Sequence, residues 1–247
     1  YLLISGAGLG GWAWGKVWGY LKTPSEHPPR LNERGEVGHV VSINIAGSTG
    51  FDIENDLSQM DSVQAIARSA DDNRLSQPII VAHDIASSLA IKAASIMDSR
   101  PKRIVMLGGV IPNNGKSMIS CMPPWFRYPV ELISRIHPLS RDGVKMPKKI
   151  VDDIICSGLS AAEVIEVVGL FQRLPHKLLK EPTYINYDNI VCPLSYIVLS
   201  EDRLISVPAQ QEMARRLGFI EIDEIDSCHA AMLHKPKELS EMIAKYK

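Results

Sequence analysis

Three positions in this chain could together carry nucleophile, acid and base chemistry. The first is Asp84, within Val81-Ala82-His83-Asp84-Ile85-Ala86, where an apolar run ends, one residue turns and a helical pattern begins at once. That is the setting of a nucleophile elbow, usually written G-x-S-x-G, whose small flanking residues let strand and helix approach closely. Here Ala82 and Ala86 flank a carboxylate instead of a hydroxyl or thiol. Asp84 has a second reading, as the N-cap of the helix that follows, a role Asp favours. The second position is Asp202, in Ser200-Glu201-Asp202-Arg203, and the third is His229, in Asp226-Ser227-Cys228-His229-Ala230-Ala231. Each follows an apolar run. Turn residue, acid and histidine in that chain order suit a base that moves protons and an acid that orients it. A lone loop histidine is usually a surface residue; three ordered loop-end residues carry more weight.

A fourth signal is the turn Gly6-Ala7-Gly8-Leu9-Gly10-Gly11, whose backbone amides could bind an anion or a developing oxyanion. Glycines 6, 8 and 11 fit G-x-G-x-x-G, but Ile45-Ala46-Gly47 stands where a dinucleotide site needs a ribose-binding acid. There is no Gly-Lys-Ser/Thr phosphate loop. No pair of histidines at helical spacing stands near an acid, so neither metal nor cofactor is expected.

These residues must be positioned by strands and helices. Apolar runs at 1–5, 40–45, 78–82, 103–107, 194–199 and 219–222 read as strands. They are continuous, not alternating, which suits strands covered on both faces of a parallel sheet. Helical patterns fall between or after them at 14–21, 62–70, 85–97, 209–217 and 236–246. The expected class is α/β, with a mainly parallel sheet and helices on both faces. Residues 22–38, with three prolines, read as a long surface loop. Residues 111–187 hold helical stretches, clearest at 151–156 and 161–171, and no convincing strand. The expectation is a core of 1–110 and 188–247 with a helical lid, 111–187, inserted in it.

Composition narrows the classes. Of 247 residues 45% are hydrophobic and 22% charged, with 27 Lys+Arg against 28 Asp+Glu, net charge -1. That balance argues against disorder and gives no overall field for nucleic acid or an anionic membrane. The four cysteines, 121, 156, 192 and 228, are far apart with no C-x-x-C, so reduced thiols in a cytoplasmic protein are expected. No apolar run approaches the ~20 residues of a membrane span. The opening Tyr-Leu-Leu-Ile-Ser lacks the marks of a signal peptide. The expected partner is a small-molecule substrate, without nucleic acid or membrane; a homodimer is left open.

With those motifs in place, the chain resembles α/β-hydrolases of the plant methylesterase and hydroxynitrile lyase type. Gly6-Ala7-Gly8-Leu9-Gly10-Gly11-Trp12-Ala13-Trp14 is similar to that family's H-G-A-x-x-G-G-W-x-W, with Ser5 in place of His. Ser200-Glu201-Asp202-Arg203 resembles its T-E-D-K, and Cys228-His229-Ala230-Ala231-Met232-Leu233-His234-Lys235-Pro236 its D-H-M-A-M-L-x-K-P. The resemblance implies His229 as base, Asp202 as its orienting acid and the amides of Ala7 and Ile85 as an oxyanion hole. The family has Ser where Asp84 stands. Asp there resembles epoxide hydrolases and haloalkane dehalogenases, in which a carboxylate attacks an sp³ carbon and activated water cleaves the alkyl-enzyme ester.

The accessory residues of those chemistries are incomplete. Ile85 stands where dehalogenases have Trp, and no Pro follows Ser5-Gly6-Ala7-Gly8. Tyr128, Tyr184 and Tyr187 are available as acids for an opening epoxide, but sequence does not place them. Two alternatives stand beside the Asp84-His229-Asp202 triad. Asp84 and His229 could form an acid–base pair for lyase, decarboxylase or cyclase chemistry without a covalent intermediate. A non-catalytic receptor on the same fold would keep the pocket alone. In the lid Met118, Ile119, Met122, Trp125, Phe126 and Leu170 suggest a small apolar substrate, with Met122, Trp125, Phe126 and Tyr128 as candidate binding residues.

Overall fold

Apolar runs become strands here because their side chains are buried on both faces. The computed structural model describes residues 1–6, 8–22, 39–45, 57–136, 146–173, 176–186, 190–218 and 220–246. Its first part holds β1 (Leu2–Ile4), α1 (Gly15–Lys22), β2 (Val41–Ile43), α2 (Gln59–Asp72), β3 (Ile79–His83), α3 (Ala86–Ala94) and β4 (Arg103–Leu107). An insertion follows: β5 (Lys116–Ser117), α4 (Pro124–Ile136), α5 (Lys148–Ile150) running into a π-helical turn (Val151–Ile155), α6 (Ala161–Leu170), α7 (His176–Lys180) and β6 (Pro182–Thr183). The chain ends with β7 (Leu194–Leu199), α8 (Val207–Arg215), β8 (Glu221–Ile225), α9 (Ala231–His234) and α10 (Pro236–Ala244).

Six strands form one sheet in the order β2-β1-β3-β4-β7-β8, every pair parallel. Successive side chains of a strand point to opposite faces, and every residue of β1, β3 and β7 is buried, so both faces of the central sheet are covered. Helices pack in two pairs, α1 on α10 and α2 on α3. Strand order reverses between β1 and β3, because the chain moves outward to β2 and then returns past β1. Open parallel sheets leave a crevice at such a switch point, beyond the carboxyl ends of the strands. The glycine turn after β1 and Asp84 after β3 both open onto it.

Local sequence fixes the helix starts. Ser58 caps α2 and Ser160 caps α6, each in a capping box closed by an acid three residues on, Asp61 and Glu163. The two-residue strands β5 and β6 pair antiparallel at either end of the inserted helices. Sequence alone shows no strand there, since two residues carry no periodicity. Buried Gln59 of α2 reinforces the closure, donating through Nε2 to the carbonyls of Leu178 and Glu181 and to Thr183 Oγ1. The last strand also differs from expectation. It runs from Glu221 to Ile225, not 219–222, and Phe219 lies outside the described residues. It is an edge strand with Glu221, Ile222 and Glu224 exposed and only Ile225 buried, so apolar content does not mark it. The expected loop at 22–38 lies, beyond Lys22, outside the described residues.

Candidate active site

The turn after β3 is tight enough to force Asp84 into the left-handed region, with φ 53°. A non-glycine residue there is uncommon and is held by its surroundings. Asp84 N–H donates to Leu107 O of β4 at 3.1 Å, and Asp84 O accepts from Ser87 N–H at 3.1 Å and Val110 N–H at 3.0 Å. The first turn of α3 is fastened to the same main chain. Ser87 Oγ donates to Ala82 O at 2.9 Å and Ser88 Oγ to Val110 O. Both serines are fully buried and their hydroxyls are committed to carbonyls.

The carboxylate of Asp84 lies against the glycine turn. A Cβ at Gly6 would stand 2.5 Å from Asp84 Cβ and 2.8 Å from Asp84 Oδ2, so only glycine fits. Ser5 folds this turn on itself by donating from Oγ to Gly10 O at 2.6 Å. Farther along, Gly11 N–H donates to Asn44 Oδ1. Ala7, one of the two expected oxyanion donors, lies outside the described residues. The other, Ile85, is fully buried directly after the elbow.

Asp202 and His229 meet at the ends of β7 and β8. Asp202 Oδ1 accepts from the amides of Leu204, at 2.7 Å, and Ile205, at 3.0 Å. Its Oδ2 lies 2.8 Å from His229 Nδ1, with both side chains almost fully buried. The carboxylate thus orients the ring and leaves Nε2 for proton traffic. Burial is the largest influence on His229 and pushes its pKa down. The charge and hydrogen bond of Asp202, with the charge of Asp84, outweigh it and hold the imidazole above its ordinary value. Asp84 thus acts electrostatically on His229 although the two are distant in sequence.

Two neighbours of the site carry no recognisable motif. His83 is buried beside Asp84, and its ring lies 4.6 Å from that of His229, centroid to centroid. Its Nδ1 accepts from Gly6 N–H at 3.2 Å and its Nε2 lies 3.0 Å from His229 O. Phe171, just past α6, covers Gly8 so closely that a Cβ there would overlap its ring. Gln172 N–H donates to Gly8 O at 2.8 Å. The inserted helices therefore rest on the glycine turn, a contact that no local motif announces.

The candidate binding residues divide by exposure. Met122 and Phe126 are buried, each 7% exposed, whereas Trp125 is 44% and Tyr128 58% exposed on the outer side of α4. Trp125 and Tyr128 thus stand at the surface; an amphipathic pattern shows that a helix has two faces but not what each meets. Tyr184 is 66% exposed, and Tyr187 lies outside the described residues. Burial pushes the thiols of Cys121 and Cys192 up to about 11 and of Cys156 up to about 12, and raises that of Cys228, so all four stay protonated near neutral pH. Among the described residues no group of three His, Cys, Asp or Glu side chains is placed to hold a metal ion. No helix among them is long and apolar enough to cross a membrane.

A family model described as "Alpha/beta hydrolase family" matches residues 1–242. No curated protein matches the chain. Among solved structures, an extracellular α/β-hydrolase from a Paenibacillus species, described as sharing structural and functional homology with tobacco Salicylic Acid Binding Protein 2, superposes with a TM-score of 0.81 at 20% identity, over 99% of this chain and 97% of that one. The methylesterase MES16 from Arabidopsis gives 0.69 at 16% identity, over 99% and 97%. Tomato methylketone synthase I, a histidine variant complexed with β-ketoheptanoate, gives 0.70 at 15% identity, over 100% and 97%. At these identities the likeness is one of fold.

Proposed function

The chain belongs to the α/β hydrolase family, and from that premise we propose that it hydrolyses a small, largely apolar molecule through an Asp84-His229-Asp202 triad. The observation that carries this reading is Asp84 itself: a carboxylate at the elbow, at φ 53°, packed on the glycine turn. Asp84 attacks an sp³ carbon, forming a C–O bond as the carbon–leaving-group bond breaks. His229 then takes a proton from water, and the resulting hydroxide adds to the Asp84 carbonyl carbon. Collapse of that adduct expels the alcohol oxygen, which takes the proton back from His229, and leaves Asp84 as the carboxylic acid; its proton passes to solvent, leaving with the halide or balancing the proton that a ring-opened epoxide oxygen took up, and the carboxylate is restored. Asp202 holds the imidazolium while it exists. Residues 111–187 act as the lid that keeps bulk water out, and Met122 and Phe126 supply apolar lining.

Single and multiple turnovers in H₂¹⁸O test this directly, with short terminal epoxides and 1-haloalkanes as probes. Label should enter the Asp84 carboxylate during multiple turnovers, and His229→Ala should accumulate a covalent adduct on Asp84 visible by intact mass. Turnover with no label in Asp84 would refute the covalent route.

A second reading rests on where the tyrosines lie. Tyr128 and Tyr184 are largely exposed, which leaves neither as an enclosed acid for an opening epoxide oxygen. Asp84 and His229 would then pass a proton between them and substrate with no covalent intermediate. A fold seen in complex with β-ketoheptanoate in methylketone synthase I is compatible with such non-covalent work.

A further inference from the structure

We propose that His83 is a positioning residue of this site, a neutral imidazole that ties the glycine turn after β1 to the loop carrying His229. The inference rests on the reading in which His229 is the base, but its geometry stands apart from the identity of the nucleophile. Gly6 N–H can only donate, so His83 Nδ1 must accept; His229 O can only accept, so His83 Nε2 must carry the proton. Only one of the three protonation forms of imidazole, neutral with hydrogen on Nε2, satisfies both contacts. An added proton on Nδ1 would face the Gly6 N–H and place a cation beside His229 and its ring. Burial, followed by the charge of His229, holds His83 well below the usual histidine range, against the smaller opposing pull of the His229 carbonyl.

The two contacts reach 77 residues back along the chain and 146 residues forward. Through one rigid ring, a shift of the glycine turn is felt by the main chain of His229, and the reverse. His83 ends β3 directly before the turn that holds Asp84, so the same ring anchors the backbone from which that turn starts. Packing alone would be met by any flat side chain of similar size. Phenylalanine fills the space and makes neither bond, whereas glutamine offers one donor and one acceptor.

The test has an arm that needs no substrate. Histidine-selective ¹⁵N NMR of the wild-type protein, with His83→Gln to assign the resonance, should show His83 protonated on Nε2, bare on Nδ1 and not titrating around pH ~6.5. Exchange of the Gly6 amide should be slow in wild type and in His83→Gln, and faster in His83→Phe. A His83 that titrates near an ordinary histidine, carries hydrogen on Nδ1, or can become Phe without exposing Gly6 would overturn the proposal. In turnover of an epoxide or haloalkane probe, His83→Phe should lower kcat about 10²-fold with little change in KM, the size of loss that follows roughly 1 Å of misplacement. His83→Gln should recover most of that. Equal losses in both variants would also overturn it. If wild type turns over no probe, the Asp84 reading fails, and the tautomer and amide-exchange measurements still decide for or against His83.

Discussion

In the proposed mechanism the chemistry turns on Asp84, because it separates two ways of using the same surroundings. A serine at an elbow attacks a carbonyl and yields an ester that activated water can cleave; a carboxylate attacking the same carbonyl would yield a mixed anhydride after a poorer addition. Wild-type hydrolysis of p-nitrophenyl acetate should therefore be weak and Asp84→Ser should raise it, with Asp84→Ala as background. Strong wild-type activity that survived Asp84→Ala would place the nucleophile elsewhere, but not at Ser87 or Ser88, whose hydroxyls are spent on Ala82 O and Val110 O. Asp202 gives a second prediction. Its charge and hydrogen bond help raise His229, which acts on the alkyl-enzyme, so Asp202→Asn should move the acid limb of the kcat profile to lower pH. The rate should fall by about 10² to 10⁴-fold as the ring loses its orienting partner. An acid limb that stayed in place would mean that another group controls it.

The contact between the insertion and the glycine turn gives the next prediction. Gly8 has φ 83°, and a Cβ on it would run into the ring of Phe171. Gly8→Ala therefore meets two separate penalties, a left-handed backbone costing roughly 1–2 kcal/mol and a steric overlap. Adding Phe171→Ala should relieve the overlap and leave the backbone cost, so urea unfolding of the four forms should show a favourable coupling between the two changes. Strict additivity would mean that the ring moves aside freely. The same elements show what a single sequence can and cannot convey. β1, β3, β4 and β7 were legible because strands buried on both faces read as unbroken apolar runs. β8 was legible only at its start, within 219–222, since the rest of this edge strand carries charge and leaves no apolar run. The order of Asp84, Asp202 and His229 could be read because each follows a strand. His83 could not: its partners are a main-chain amide and a main-chain carbonyl, which leave no side-chain signature. The outward faces of Trp125 and Tyr128 were hidden for a similar reason, since helical periodicity does not say which neighbour each face meets.

The whole chain carries the opposed histidines of this site as a pH dependence of its stability. His229 is raised above its unfolded value of about 6.5, so it contributes stability fully present below that pH. That contribution is lost as pH rises through the folded value, where the native state releases the proton it had retained. His83 is depressed, by burial first and then by the charge of His229. Its contribution is fully present above about pH 6.5 and declines as pH falls toward the folded value, because only the unfolded chain takes up a proton there. His234 is lowered in the same sense, by burial and then Lys235, and its Nδ1 accepts from Cys228 N–H beside His229. The two trends meet near pH ~6.5, which should be the stability maximum with respect to these groups. On the acid side His83 alone gives a slope of up to about 1.4 kcal/mol per pH unit. The carboxylates held low by hydrogen bonds, Asp61 and Glu163, titrate below this window and do not obscure it. Urea unfolding at pH about 5.5, 6.5 and 8 should give its highest midpoint in the middle for wild type, around the unfolded histidine value. His83→Gln should flatten the acid side, and His229→Gln the alkaline side. If His83→Gln lost stability below pH ~6.5 as steeply as wild type, the native protein would be taking up a proton on His83 as readily as the unfolded chain, and the bond His83 accepts from Gly6 would not be holding it neutral.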